Sequence, residues 1–182
     1  RVVDVQLVAD VVNQRDATAG VVASLGNHDV WTSSRKVSLA LHQHGIRLLR
    51  NSGLALTRQG ESLWIAGLDS VWGGHPDVRE SLRGQPKAAP CVILAHEPDY
   101  ADTLATQVSS SALQLAGHTH GGQVCIPGGF PIHLPAWGRK YPKGLFQLDH
   151  LHLYVNRGLG TIGPKARFAC SPEITEITLR SA

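Results

Sequence analysis

Three short runs in this sequence combine side chains that can hold a cation or move a proton. Gly26-Asn27-His28-Asp29 offers an amide, an imidazole and a carboxylate in succession. Ala95-His96-Glu97-Pro98-Asp99 offers an imidazole beside carboxylates, and Gly117-His118-Thr119-His120-Gly121-Gly122 offers two imidazoles one residue apart. Imidazole is the commonest metal-binding side chain near neutral pH and also the usual general acid or base there. Each run has a plainer reading as well. Asn, Asp and Gly are turn formers, and a lone histidine at a strand end is ordinarily a hydrogen-bonded structural residue. The His118-x-His120 pair fits that reading less well, because glycines on both sides let the backbone bend until both rings face one point.

All three runs follow apolar segments of strand length. Val21 to Leu25 leads into Asn27, Cys91 to Leu94 into His96, and Leu113 to Ala116 into His118. In sheets flanked by helices, ligands gather outside the carboxyl ends of the strands, so the three loops are expected to converge on one site. Around them the pattern predicts a helix with apolar spacing over Val2 to Val12 and a second helix capped by Ser33 or Ser34, with Val37, Ala40 and Leu41 on one face and Gly45 ending it. Strands are expected over Ile46 to Leu49, Leu54 to Thr57, Leu63 to Leu68, Gly144 to Leu148, Leu151 to Val155 and Glu173 to Leu179, with a short surface helix at Pro76 to Arg83. Trp31, just past Asp29, is open between lining a substrate channel and packing in the core.

The chain has 182 residues, 42% of them hydrophobic and 17% charged, with no internal repeat, which is consistent with one globular domain over 1–182. A net charge of +3 with scattered Lys and Arg gives no sign of a nucleic-acid patch. Cys91, Cys125 and Cys170 form no CxxC pair and read as buried or incidental thiols. No apolar run reaches the roughly 18 residues of a spanning helix, so the chain as given is expected to be soluble. It begins at Arg1 and contains no methionine, so its cellular location rests on sequence outside these residues.

Taken together, GNHD at Gly26 to Asp29, the strand-terminal His96 and GHTHGGQ at Gly117 to Gln123 resemble the last three blocks of the calcineurin-like metallophosphoesterase signature. Gly138 to Tyr141, Leu153 to Thr161 and Pro172 to Thr175 resemble one bacterial branch of predicted phosphohydrolases, often found behind a membrane segment or a twin-arginine signal. The resemblance implies an α/β fold of mixed β-sheets packed as a sandwich flanked by helices. It also implies hydrolysis of a phosphodiester or pyrophosphate bond, with a membrane lipid among the candidate substrates. Two divalent or trivalent ions would take part, with Asn27, His96 and His118 on one and His120 reaching the other. His28 would sit beside the scissile phosphate, and Asp29 would orient it and raise its pKa. Two cations ~3.5–4 Å apart supply a nucleophile near neutral pH and relieve charge on the phosphate oxygens. Imidazole, amide and carboxylate ligands suit manganese, iron or zinc better than magnesium or calcium.

The chain departs from that signature at its start. The D-x-H and G-D-x-x-D blocks that open the family pattern do not occur, which is read as an N-terminal truncation lacking the first strands and leaving one metal site incomplete. Little turnover by the chain alone is the corresponding expectation, the alternatives being an impaired fragment or a non-catalytic metal-binding or scaffold module. Arg139, Lys140, Lys143, Arg157, Lys165 and Arg167 divide between phosphate contacts and solvated surface charges.

Overall fold

A computed structural model of the chain describes residues 17–87 and 89–180, so the helix expected over 2–12 falls outside the described residues. Among the described residues the order begins with β1 (Val22–Ala23), then α1 (Asn27–Gln43) and β2 (Arg47–Leu48), and β1 and β2 pair in parallel as a small sheet of their own. A six-stranded sheet follows, built from β3 (Ser52–Arg58), β4 (Glu61–Gly67), β5 (Cys91–Leu94), β6 (Ala112–Ala116), β9 (Gly144–Leu148) and β10 (Leu151–Val155). Between β4 and β5 lies α2 (Val78–Ser81), and α3 (Ala101–Gln107) crosses from β5 to β6. A short ribbon pairs β7 (Cys125–Ile126) with β8 (Phe130–Pro131). The fold is the α/β arrangement of mixed sheets expected from the sequence.

In the large sheet the order is β3-β4-β5-β6-β10-β9, and β4, β5, β6 and β10 run parallel while β3 and β9 close the edges antiparallel. Gln59 and Gly60, both at positive φ, make the tight turn between β3 and β4, as two-residue hairpin loops require. Register aligns Trp64, Cys91, Ala112 and Leu151 across the sheet, and Ala66, Ile93, Gln114 and Leu153 two residues further along. These rows form the buried face, against which Ala101 and Leu104 of α3 and Val78 of α2 pack. Each fully buried leucine-sized side chain here contributes about 1.5–3 kcal/mol.

Helix α1 differs from expectation in an informative way. It begins at Asn27, not after Ser33, and breaks at Ser33, whose φ of −179° and ψ of 96° are extended. Ser33 Oγ accepts from the Lys36 N–H at 3.3 Å, so it caps the second segment as the sequence suggested, while the first turn is a separate piece carrying the GNHD side chains. Val37 and Leu41 then bury against Leu25 and Ile46, with Ala40 packed alongside, and Gly45 at φ +70° ends the run. Residues Glu173–Leu179 form no strand. A strand needs a partner edge, and this tail is instead tied through side chains: Glu173 and Thr175 bond Tyr154 and Asn156, and Glu173 pairs with Arg157.

Because four neighbouring strands are parallel, their carboxyl ends share one edge. Asp69 and Ser70 follow β4, His96 and Glu97 follow β5, His118 follows β6, and Asn156 follows β10. The loop after β4 is fixed by two side chains. Asn51 Oδ1 accepts from the N–H groups of Asp69 and Asp77, and the Asp69 carboxylate accepts from Ser70 N, His75 N and Arg50 Nη2. Burial alone would raise the Asp69 carboxyl, but the Arg50 guanidinium and the two backbone donors outweigh it and hold it below its ordinary value. A carboxyl depressed in this way stabilises the fold above its unfolded value of about 3.9 and loses that contribution as pH falls through the folded one. Asp69→Asn should therefore lower stability at pH 7 by about 1–3 kcal/mol, the effect of leaving buried donors without an acceptor. Urea unfolding should show the gap to wild type shrinking as pH is taken from 5 toward 2; a constant gap contradicts this account.

Candidate metal centre

Four consecutive residues after β5 organise the site. His96 is half-buried, and its ring lies flat on the backbone of Gly26, where a methyl group would stand 2.7 Å from Nε2 and 2.8 Å from Cε1. Gly26 is thus needed for the close approach of an imidazole, with φ an ordinary −98°. Glu97 is fully buried, and its carboxylate accepts from Ser70 Oγ at 2.5 Å, Val71 N at 3.0 Å and Trp72 N at 3.4 Å. Pro98 starts a 3-10 turn, and Asp99 accepts from the N–H groups of Arg139, Lys140 and Tyr141. One run therefore supplies an imidazole and fastens two flanking loops.

Asn27 opens α1 directly after Gly26. The residue is 1% exposed, and among the described residues neither Oδ1 nor Nδ2 has a hydrogen-bond partner. A buried amide without partners carries a penalty of about 1–3 kcal/mol, and an ion bound to Oδ1 is one arrangement that would offset it. Asp29, three residues after Gly26, has Oδ2 on the Gly26 N–H at 2.8 Å, capping its own helix. That is the contact the structure shows for this carboxylate; orientation of His28 by it stays an expectation.

In the segment after β6, His118 and His120 themselves take positive φ, at 66° and 51°, so the histidines and not only the flanking glycines make the bend. Thr119 sits between them, its hydroxyl donating to Pro142 O and accepting from Gly121 N. His118 is 9% exposed, and its Nε2 lies 2.8 Å from Ala136 O. A carbonyl can only accept, so Nε2 carries the proton and Nδ1 presents a lone pair. By the same logic His120 Nδ1, 3.3 Å from Gly160 O, is the protonated nitrogen and Nε2 is free.

The rings of His96 and His118 meet edge to face with centroids 5.0 Å apart, and ligand atoms of His96, Glu97 and His118 all lie within 4.8 Å of one another. Edge-to-face contacts continue from His118 to Trp72 (5.6 Å), to Trp31 (4.8 Å) and on to the exposed His28 (5.2 Å). Trp31 and Trp72 are 51% and 42% exposed, so Trp31 lines the cleft and is not core. Burial pushes the His96 imidazole down to about 3, and the nearby rings of His118, His120 and His28 add to the shift. His120 is lowered too, first by burial, against the opposing hydrogen bond to Gly160. His96 is thereby kept neutral, the form that binds a cation.

His96, His118 and His120 lie together after β5 and β6, Gly26 brings Asn27 against His96, and His28 stands beyond two tryptophans. An amide oxygen and neutral imidazoles with free lone pairs fit manganese, iron or zinc. Glu97, which the sequence offered only as a carboxylate beside His96, is buried with both oxygens taken by Ser70, Val71 and Trp72, and its carboxylate lies within 4.8 Å of the His96 and His118 ligand atoms. Most of the basic residues are committed elsewhere. Arg157 pairs with Glu173, Lys140 with Asp102, Lys143 donates to Gly129 O, and Arg167 donates to the carbonyls of His120, Arg157, Gly158 and Gly160.

No protein-family model matches the chain. It is 37% identical to an uncharacterized metallophosphoesterase, YkuE, of Bacillus subtilis over 97% of its own length and 62% of that protein's. It is 29% identical to the phosphodiesterase YaeI of Escherichia coli over 94% of its length and 62% of that protein's. A Danio rerio transmembrane protein with metallophosphoesterase domain is 32% identical over 96% of the chain and 42% of the relative. In its fold, its histidine cluster and its sequence the chain is similar to metallophosphoesterases. It spans less than two thirds of the length of each of these relatives. No helix among the described residues is long and apolar enough to cross a membrane.

The packing of His96 on Gly26 is open to a direct test. Gly26→Ala must displace the imidazole, because its new methyl would overlap the ring. The expected outcome is a chain that still folds by circular dichroism but binds Mn2+ about 10–100-fold more weakly by calorimetry. Unchanged affinity would show that His96 does not need this position.

Proposed function

We propose that this chain carries the catalytic cleft of a metal-dependent phosphoesterase that hydrolyses a phosphodiester or pyrophosphate bond through a dinuclear site. The observation that most supports the reading is Asn27, an amide buried without a partner at the edge where His96 and His118 meet. Asn27, His96 and His118 would hold one ion and His120, through Nε2, would contribute to a second. When bound, such ions supply charge relief on the phosphate oxygens and a nucleophile near neutral pH.

The chain's own residues do the rest. His28, exposed next to the tryptophans, would protonate the leaving oxygen or stabilise charge developing on it. Trp31 and Trp72 offer an apolar wall to whatever is esterified to the phosphate, which suits an aryl ester or the acyl portion of a membrane lipid. Glu97 keeps that wall rigid by holding the backbone of Val71 and Trp72.

Hydrolysis of bis-p-nitrophenyl phosphate with Mn2+, read beside calorimetric Mn2+ titration, tests the proposal. His28→Ala should lower kcat by about 10²–10⁴ while Mn2+ still binds, and Asn27→Ala should weaken Mn2+ binding. Turnover by this chain alone should be low, because Asn27, His96, His118 and His120 are all neutral and offset none of the charge of the ions they would hold. Mn2+ binding without any turnover would favour a sensing or scaffold module, and no binding at all would remove both readings.

A further inference from the structure

Directly beneath the His118–His120 turn lie two thiols far apart in the chain. Cys125 and Cys170 are 1% and 3% exposed, and each sulfur stands 3.4 Å from the same carbonyl oxygen, that of Gly121. Cys170 Sγ is also 3.3 Å from His120 O, so the two sulfurs gather around the same peptide unit. The backbones around them are already paired: Cys125 N donates to Phe168 O, Phe168 N donates to Gln123 O, and Val124 and Phe168 form a parallel bridge. Gly121, at φ +62°, leaves the space the sulfurs occupy, since a methyl there would stand 2.8 Å from Cys170 Sγ. The third cysteine, Cys91, lies in β5 within the main core.

We propose that Cys125 and Cys170 are a disulfide-forming pair that ties the metal-binding turn to the C-terminal segment. Two S–H bonds break and one Sγ–Sγ bond forms; the two electrons and two protons pass to a small-molecule disulfide such as oxidised glutathione, which leaves as two thiols. The bond removes the S–H groups that donate to His120 O and Gly121 O and replaces them with a covalent tie at the same place. Burial, then the neighbouring Cys170, raises the Cys125 thiol, so the thiolate is scarce at neutral pH and exchange quickens as pH rises.

Refolding the reduced chain in a reduced/oxidised glutathione buffer, followed by alkylation and peptide mapping, tests this. In an unfolded chain the pair closest in sequence, Cys91 and Cys125, closes most readily. The expected product is a Cys125–Cys170 disulfide with Cys91 alkylated, and an unfolding midpoint raised by about 5–15 °C over the same chain in dithiothreitol. Cys170→Ser should abolish the glutathione-dependent rise without preventing folding by circular dichroism. Should that substitution disturb the fold, Cys125→Ala, which brings in no hydroxyl, serves as the second variant and should likewise abolish the rise. Predominance of a Cys91 pairing, of glutathione adducts or of free thiols would overturn the proposal, and so would a Cys125–Cys170 bond that lowers the midpoint.

Discussion

A buried carboxylate, Glu97, is the point on which the cleft depends. Taking a carboxylate out of water is tolerable only with donors on both oxygens, and here Ser70, Val71 and Trp72 provide them. Those donors all belong to the loop after β4, so satisfying Glu97 requires that loop to fold over the end of β5. The loop in turn packs on the first turn of α1, where Gly73 is so close to Asn27 Cα and Val30 Cβ that a methyl would stand 3.3 and 3.1 Å away. Segments from both sheets are thus drawn to the same spot by one charge.

The parallel strands explain why that spot is also where the histidines lie. Crossovers return each chain to the same side, so the carboxyl ends of β4, β5, β6 and β10 line one edge whatever residues they carry. What selects the chemistry is the set of carbonyls waiting there. Ala136 and Gly160 each take one imidazole proton, which fixes the tautomers of His118 and His120 and leaves the opposite nitrogen as donor.

Much of this was legible in the sequence. The apolar runs before Asn27, His96 and His118 announced strands ending in one site, and the bounds of β5, β9 and β10 follow the pattern closely. Periodicity could not reveal that Ile46 to Leu49 pairs with β1 and not with its neighbour β3, because that choice is tertiary. Nor could it place the break at Ser33, since a serine at that position reads only as a cap. Glu173 to Leu179 carries a strand-like composition, yet polar partners on β10 claim its side chains and no ladder forms. The proximity of Cys125 and Cys170 leaves no local trace at all, as it arises from the docking of the C-terminal segment under the turn.

The left-handed backbone of His118 and His120 has one further consequence. A non-glycine residue in that region is held at a cost of roughly 1–3 kcal/mol, which the bonds of His118 to Ala136 O and of His120 to Gly160 O offset in part. Histidine persists there against the local preference, with the distortion already in place before any cation arrives. An ion held by these two histidines would have no loop to order, and its affinity would not be diminished by that entropy; the turn is a pre-set jaw whose stiffness was installed during folding.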